Sequence, residues 1–240
     1  MTPADYVRRF RLSQSALKLR DEQMKIAEVA FALGFGSVDG YQRAFFREFG
    51  CNPREYDKSP IPLQLFIPYE IKYGFERKEN KMETVKNIFI QVVEKPKKDV
   101  ITKRGAAKEH FAYCDEVGCD VWGMLTSIKS IFGEPICMWI PKNLIRKGTS
   151  EYVQGVEVSS GYSGPVPLGF EVICLPECKY LMFQGEPFDE EHYSEAILQL
   201  QEAIGKYDPS AMGFSKDTKN PHIQLEPIGA RGCIELLPVK

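Results

Sequence analysis

The chain has only three histidines and two tryptophans in 240 residues. No apolar run approaches the roughly 20 residues that a membrane-spanning helix needs. Its opening, MTPADYVRRF, lacks the apolar core of a secretory signal. A cytoplasmic protein with no membrane partner is therefore expected. The cysteines number seven, and neither Cys114/Cys119 nor Cys174/Cys178 has the paired CxxC spacing of a zinc site. Reduced thiols and no bound metal are expected. There is no Walker loop and no HExxH. His110, His192 and His222 are scattered, and no nucleophile–base pair stands out along the chain. No cofactor is implied, no catalytic residue is assigned, and a non-enzyme is expected. Charge of either sign is not in excess: 31 Lys/Arg oppose 33 Asp/Glu.

What is present divides the chain. Residues 1–58 hold ten Lys/Arg against eight Asp/Glu, too small a surplus to mark a nucleic-acid binder by amount alone. Position has to carry that signal. Pro3 suits a first helical turn, and Val7, Phe10, Leu12, Ala16 and Leu17 approximate an apolar stripe, with Arg8, Arg9 and Arg11 off it. Ile26, Val29, Ala30 and Leu33 keep the spacing of a second buried face, and Gly34 follows where a left-handed cap wants glycine. Ser37 or Asp39 can cap a third helix to Phe49, with Tyr41, Phe45 and Phe49 inward and Gln42, Arg43 and Arg47 elsewhere. From spacing alone, a small helical bundle with solvated arginines and a DNA-reading helix–turn–helix are equally good readings.

The residues add more. IAEVAFALGF followed by SVDGYQRAFFREFGCNPREY closely resembles the second helix–turn–helix of AraC-type transcription regulators, over residues 3–57. The resemblance implies that the helix from 37 to 49 enters the major groove. It puts Asp39, Gln42 and Arg43 against bases, Arg43 on guanine, and Arg47 on phosphate. Such DNA-binding domains carry two helix–turn–helix units, and Met1–Lys18 resembles the helix that joins them. A single reading helix implies weak, salt-sensitive binding.

Residues 59–82, with Pro60, Pro62, Pro68 and the charge run ERKENKME, read as a linker whose apolar part packs on a domain. Beyond it an internal repeat is visible. VVEKPKKDVITKRG (92–105) and VICLPECKYLMFQG (172–185) align at an offset of 80, Pro96 on Pro176 and Gly105 on Gly185. Each is followed by a helix: 110–132 with Val121, Leu125, Ile128 and Phe132 on one face, and 189–207 with Tyr193, Ile197, Leu200 and Ile204. Two strand-like runs follow each helix: 136–140 and 152–159, then 222–225 and 233–239. The expected fold is α+β, an all-α module and then a duplicated strand–helix–strand–strand domain (83–240) with pseudo-twofold symmetry.

This layout, with YVQGVEV, PHIQLEP and the terminal ELLPVK, resembles the GyrI-like effector-binding domain, also found at the C-terminus of Rob. The resemblance implies a small hydrophobic effector, cationic in many members, held between the two repeats by aromatic walls and a buried carboxylate. Candidate walls are Trp122, Trp139, Tyr152, Tyr162, Tyr180 and Phe183; Trp122 and Phe183 are equally read as core. Glu157 and Glu235, in the last strands of the two halves and roughly symmetry-related, are the candidate counter-charges, and each is equally read as an ordinary solvent-facing strand residue. Gln224 stands where the family often has a glutamate, with Glu226 two residues on, which leaves a neutral ligand or the use of Glu226 or Glu235 open. The expected partners are DNA, the effector and, through the regulator, RNA polymerase. Two alternatives stay open: a GyrI-like hydrolase using Tyr152 with a glutamate as base, and a protein-binding inhibitor of the kind that acts on a topoisomerase.

Overall fold

The computed structural model describes residues 1–22, 24–67, 87–118 and 120–240. Four helices, α1 (Pro3–Glu22), α2 (Ile26–Ala32), α3 (Val38–Phe49) and α4 (Pro53–Lys58), share one core of Leu12, Ala16, Leu19, Val29, Ala30, Tyr41, Phe45 and Tyr56. The turn between α2 and α3 follows from local chemistry. Gly34 adopts φ 75°, closed to most side chains, and Ser37 Oγ accepts a bond from Gly40 N at 3.1 Å. Gly50, at φ 73°, ends α3. Glu48 of α3 accepts from Arg8 (3.2 Å) and Arg9 (2.7 Å), so two of the arginines on α1 tie helices together. The expected stripe on α1 starts too early: Val7 and Phe10 are exposed, and burial begins at Leu12.

The second domain contains β1 (Phe89–Lys95), β2 (Lys98–Arg104), α5 (His110–Val117), α6 (Asp120–Ser127), β3 (Pro135–Trp139), β4 (Tyr152–Ser159), β5 (Glu171–Leu175), β6 (Cys178–Gln184), α7 (Tyr193–Lys206), β7 (His222–Leu225) and β8 (Ile234–Val239). The sheet is antiparallel in the order β1-β6-β8-β7-β3-β4-β2-β5. Exchanging the halves reverses this order onto itself, so a pseudo-twofold axis passes between β3 and β7. Each half has two strands before its helix, not one: the repeated runs 92–105 and 172–185 are each broken at a proline. One register spans both breaks, with Phe89 opposite Gln184, Lys95 opposite Cys178, Lys98 opposite Leu175 and Thr102 opposite Glu171.

That ribbon forces the sheet to curl. In a flat sheet, six interstrand steps of about 4.8 Å would separate β1 from β2 by about 29 Å. Pro96 and Lys97 link them through three residue steps, reaching at most about 11 Å. Pro176 and Glu177 impose the same closure on β5 and β6. The concave face that results holds Val100, Met138, Val153, Ile173, Leu175, Tyr180, Ile223 and Leu236. On the opposite face, α6 covers Ile101, Val156 and Val158, and α7 covers Leu181 and Phe183. The helix expected over 110–132 is two helices: Gly118, at φ 90°, breaks it, and Phe132 lies exposed beyond α6.

The expected linker is not free where it is described. Leu63 and Leu65 are buried in the helical core, and Ile67 packs against both that core and the aromatic cluster over β3. Leu63 N donates to Ser127 Oγ (2.9 Å), Gln64 Nε2 to Asp120 O (2.7 Å) and Phe66 N to Ser13 Oγ (2.7 Å). Arg20 Nη1 of α1 donates to Thr126 O at 2.6 Å. This strap grips α6 at both ends. From Pro68 to Lys86, including the charge run and the expected domain start at residue 83, the chain lies outside the described residues.

Gly123 is where the strap comes closest. A Cβ there would stand 2.1 Å from Leu65 O, whereas a Cβ on Gly205 of α7 would meet nothing within 4 Å. Helix propensity favours alanine at both sites by up to about 1 kcal/mol. Gly123→Ala should nevertheless destabilise by about 1–3 kcal/mol, because backbone must shift, while Gly205→Ala should be neutral or stabilising; urea unfolding of the two variants measures the difference in sign.

Candidate functional site

The two proposed counter-charges are not symmetry mates. Glu157 pairs with Val100, whose counterpart in the second half, Tyr180, pairs with Pro238; Glu235 pairs with Phe183, whose counterpart Lys103 pairs with Gln154. Strand alternation then places them on opposite faces of the sheet. Both are completely buried. Glu157 is on the concave face, 2.5 Å from Lys95 Nζ and 3.6 Å from Lys98 Nζ. Burial lowers the Lys98 pKa and Glu157 partly offsets this; burial also drives the nearby Tyr180 phenol far up. A carboxylate already flanked by two ammonium groups is a structural counter-ion and not a free charge for a ligand.

Glu235 faces the helices, where the halves meet. Its Oε1 accepts from Gln201 Nε2 of α7 (3.0 Å) and from Gln224 Nε2 of β7 (3.3 Å). Its Oε2 lies 2.8 Å from His222 Nε2, but off the line of a hydrogen bond, and accepts none among the described residues. The contact is an ion pair only with the imidazole protonated. His222 stacks obliquely on Trp139 (5.2 Å between centroids), and Trp139 meets Tyr152 edge-on at 5.4 Å. Tyr113 of α5 touches Tyr152 at 5.1 Å, and Trp122 of α6 and Tyr193 of α7 complete the cluster. The β3–β7 seam thus carries a box of aromatic rings between the helices of the two halves, with one buried carboxylate beside it.

Of the proposed wall residues, this box contains Trp122, Trp139 and Tyr152. Tyr180 lies on the concave face near Lys98. Phe183 packs under α7 against Tyr207. Tyr162 packs beside Val158 and donates to Pro165 O. Glu226 follows β7, where its carbonyl and the Glu134 carboxylate hold Arg231. Gln224 holds Glu235 in place.

Several residues at the box went unassigned in the sequence. Tyr113 and Tyr193 belong to it, and so do His110 and Cys114, four residues apart on α5. His110 Nδ1 is 2.8 Å from Tyr152 Oη, and its Nε2 is 3.8 Å from Cys114 Sγ. The helical i, i+4 spacing was the available signal. Burial pulls the His110 pKa down to about 4 and pushes the Cys114 thiol up.

On the helical module, Asp39, Arg43 and Arg47 are exposed on α3 and Gln42 is half-buried. At 100° per residue, Asp39, Arg43 and Phe46 share one outer face, flanked by Gln42 and Arg47 and opposite Tyr41 and Phe45. Phe46, 52% exposed, is an unforeseen apolar group at the centre of that face. Arg43 and Arg47 form no ion pair among the described residues.

These two regions define a chain with a helix–turn–helix module joined to a pseudo-twofold sheet domain. Residues 1–59 match the family described as a helix-turn-helix domain. A protein of Streptomyces antibioticus described as an AraC-like transcription regulator is 37% identical over 60 residues, which are 25% of this chain and 20% of that protein. The chain spans about a fifth of the length of the curated relatives it matches. Over the helical module the chain is similar in sequence to AraC-like transcription regulators. Among solved structures, SAV2435 bound to tetraphenylphosphonium is similar at 14% identity and a TM-score of 0.43, covering 63% of this chain and 94% of that one. A hydrolase encoded by lin2189 from Listeria innocua is similar at 12% identity and a TM-score of 0.35, covering 63% of this chain and 91% of that one. No helix among the described residues is long and apolar enough to cross a membrane, and no group of three or more His, Cys, Asp or Glu there could hold a metal.

The depressed His110 pKa makes stability depend on pH. The unfolded chain takes up a proton near pH 6.5 and the folded chain near pH 4. Stability is therefore lost as pH falls from 6.5 to 4, by on the order of 2–3 kcal/mol. Urea unfolding between pH 7 and pH 4 should show this loss in the native chain and its absence in His110→Gln.

Proposed function

We propose that the chain is a ligand-responsive transcription regulator that holds a small lipophilic molecule, a cation in the favoured case, in the aromatic box beside Glu235 and contacts DNA through α3. The observation that carries the reading is the clustering of Trp122, Trp139, Tyr113 and Tyr152, with His222 lying between Trp139 and the Glu235 carboxylate, one oxygen of which accepts no hydrogen bond among the described residues. A buried carboxylate without a full counter-charge is costly. A lipophilic cation supplies that charge and brings its own apolar surface to the rings, each cation–π contact adding about 0.5–2 kcal/mol. Tetraphenylphosphonium, which SAV2435 binds, has this chemistry and serves as the probe.

The strap supplies a route from box to DNA. Trp122 belongs to the box and sits on α6, which the strap and Arg20 hold against the helical module. The rings of the box pack edge-to-face on one another, so an entering ligand displaces at least one of them. Movement of Trp122 carries α6, and α6 pulls on α1 and the strap. A ligand acts this way only by differing in affinity for two arrangements. On α3, Arg43 suits guanine, Phe46 suits a thymine methyl and Arg47 suits phosphate. With a surplus of only two positive charges in residues 1–58, binding by one module is weak and falls steeply with salt. Contact with RNA polymerase belongs to the same reading.

Both tryptophans of the chain lie in the box, so tryptophan fluorescence, excited selectively over tyrosine, reports on it. Titration with tetraphenylphosphonium should quench it saturably. Glu235→Gln should weaken binding about 10- to 100-fold, the loss of a charge-assisted contact of ~1.5–3 kcal/mol, and Glu157→Gln should spare it in protein that remains folded. Equal affinity for the native and Glu235→Gln proteins would overturn the assignment of the counter-charge; absence of any quenching by lipophiles would overturn the effector reading.

A further inference from the structure

His222 sits where the charge of an effector would go. Its Nε2 lies 2.8 Å from Glu235 Oε2, and its ring stacks obliquely on Trp139 at 5.2 Å. A protonated imidazole in this place has a carboxylate on one side and an indole face on the other, the two contacts that a lipophilic cation needs. In the neutral state Nε2 and Oε2 form no hydrogen bond with each other or with any other described residue. Glu235 is completely buried, and no Lys or Arg among the described residues pairs with it. One positive charge completes the site, and it arrives either as a proton on His222 or on a ligand. The His222 side chain is 27% exposed, so protons reach it from water. Imidazole is the side chain whose charge ordinarily changes between pH 8 and pH 5. Of the two histidines at the box, burial pulls His110 down to about 4, below that window. Burial raises Tyr113 and Cys114 of α5 and Cys137 of β3 away from it. The remaining titratable groups around the box are Tyr152 of β4, Tyr193 of α7 and Glu226, past the end of β7 beside the Arg231–Glu134 pair.

We infer that His222 sets which ligands the box accepts: as an imidazolium it is a tethered cation that fills the Glu235 site and restricts the box to uncharged lipophiles, and as a neutral imidazole it yields the carboxylate to a cationic effector. Cation binding and protonation of His222 are then mutually exclusive, and each bound cation releases one proton to solvent. The linkage is reciprocal: protons weaken cation binding, and the cation drives the proton off. An uncharged ligand uses the rings alone and is indifferent to the exchange. Gln201 and Gln224, which donate to the other carboxylate oxygen, carry no charge at any pH and hold Glu235 in place in both states. The inference rests on the effector reading and deepens it by naming the residue that decides ligand charge at the same site.

The test is equilibrium dialysis of the full chain against tetraphenylphosphonium and against the uncharged triphenylphosphine oxide, at pH 8 and at pH 5.5; neither probe titrates in that range. Affinity for the cation should fall about 10-fold or more on acidification, the size of coupling expected when one bound charge excludes another, while affinity for the oxide should hold. His222→Gln should remove the pH dependence of cation binding. Proton NMR of the three imidazoles, assigned with single histidine variants, gives a second readout in the native chain. Saturating cation should move the His222 titration to lower pH and leave that of the exposed His192 where it was. Equal cation affinity at both pH values, an equal fall for both probes, the same pH dependence in His222→Gln, or a His222 titration that bound cation does not move overturns the inference and leaves the effector reading standing. The NMR arm decides the matter even if His222→Gln does not fold. Binding of neither probe at either pH removes the effector reading, and this inference with it.

Discussion

Two-residue links tie the opposite ends of an eight-stranded sheet together, and most of the second domain follows from that. Pro96–Lys97 and Pro176–Glu177 interrupt one continuous antiparallel ribbon, and a sheet whose ends are so joined has to curl. Curling gives it an enclosed concave face and leaves the other face to the helices. It also fixes where charge can go. Lys95 and Lys98 flank the first link and point into the concave side, where Glu157 is the carboxylate that balances them. At the seam between β3 and β7, the helices of the two halves leave room for the aromatic box and Glu235. The two carboxylates sit at the two different places where the symmetry brings the halves together, which explains why one has a full complement of cations and the other does not.

Local chemistry was legible in the sequence, and register was not. The α2–α3 turn rests on Gly34 and Ser37, and Gly50 ends α3; each acts within four residues, and the helix–turn–helix forms where their residue types place it. The duplication was visible because Pro96/Pro176 and Gly105/Gly185 hold a constant offset. The doubled first strand was hidden because a proline inside an apolar run marks a break without saying that the segments on either side join different ends of the sheet. The error over Glu157 and Glu235 has the same source. A shift of one residue in pairing reverses the face of every side chain on a strand, and only the partner strands Val100 and Phe183 belong to reveal that these two glutamates face opposite ways. Tyr113 and Tyr193 were missed because each joins the box from a different helix. His110 and Cys114 were missed because three histidines spread along the chain look unrelated until one of them is counted four residues from a thiol on the same helix face.

The join between the domains changes what the box can do. A flexible linker would transmit only proximity. Here backbone and side chains of residues 63–67 bond to Ser13, Asp120 and Ser127, and Leu65 O lies where a side chain at position 123 would go. Ile67 touches the core of the helical module and the aromatic cluster together. Displacement of Trp122 therefore has a packed path to α1, and from Arg8 and Arg9 through Glu48 to α3. Close packing makes such a path act as a choice between discrete arrangements and not as a gradual bend.

The most direct test of this account is the affinity of the full chain for a duplex that it has itself selected from a random-sequence pool, measured at one fixed salt concentration with and without saturating tetraphenylphosphonium. Coupling of the usual strength predicts a change on the order of 5- to 150-fold in either direction, with the cation's own affinity changed by the same factor when DNA is bound. Identical DNA affinity in both conditions, with the cation shown to be bound, would contradict the claim that the box and α3 belong to one switch.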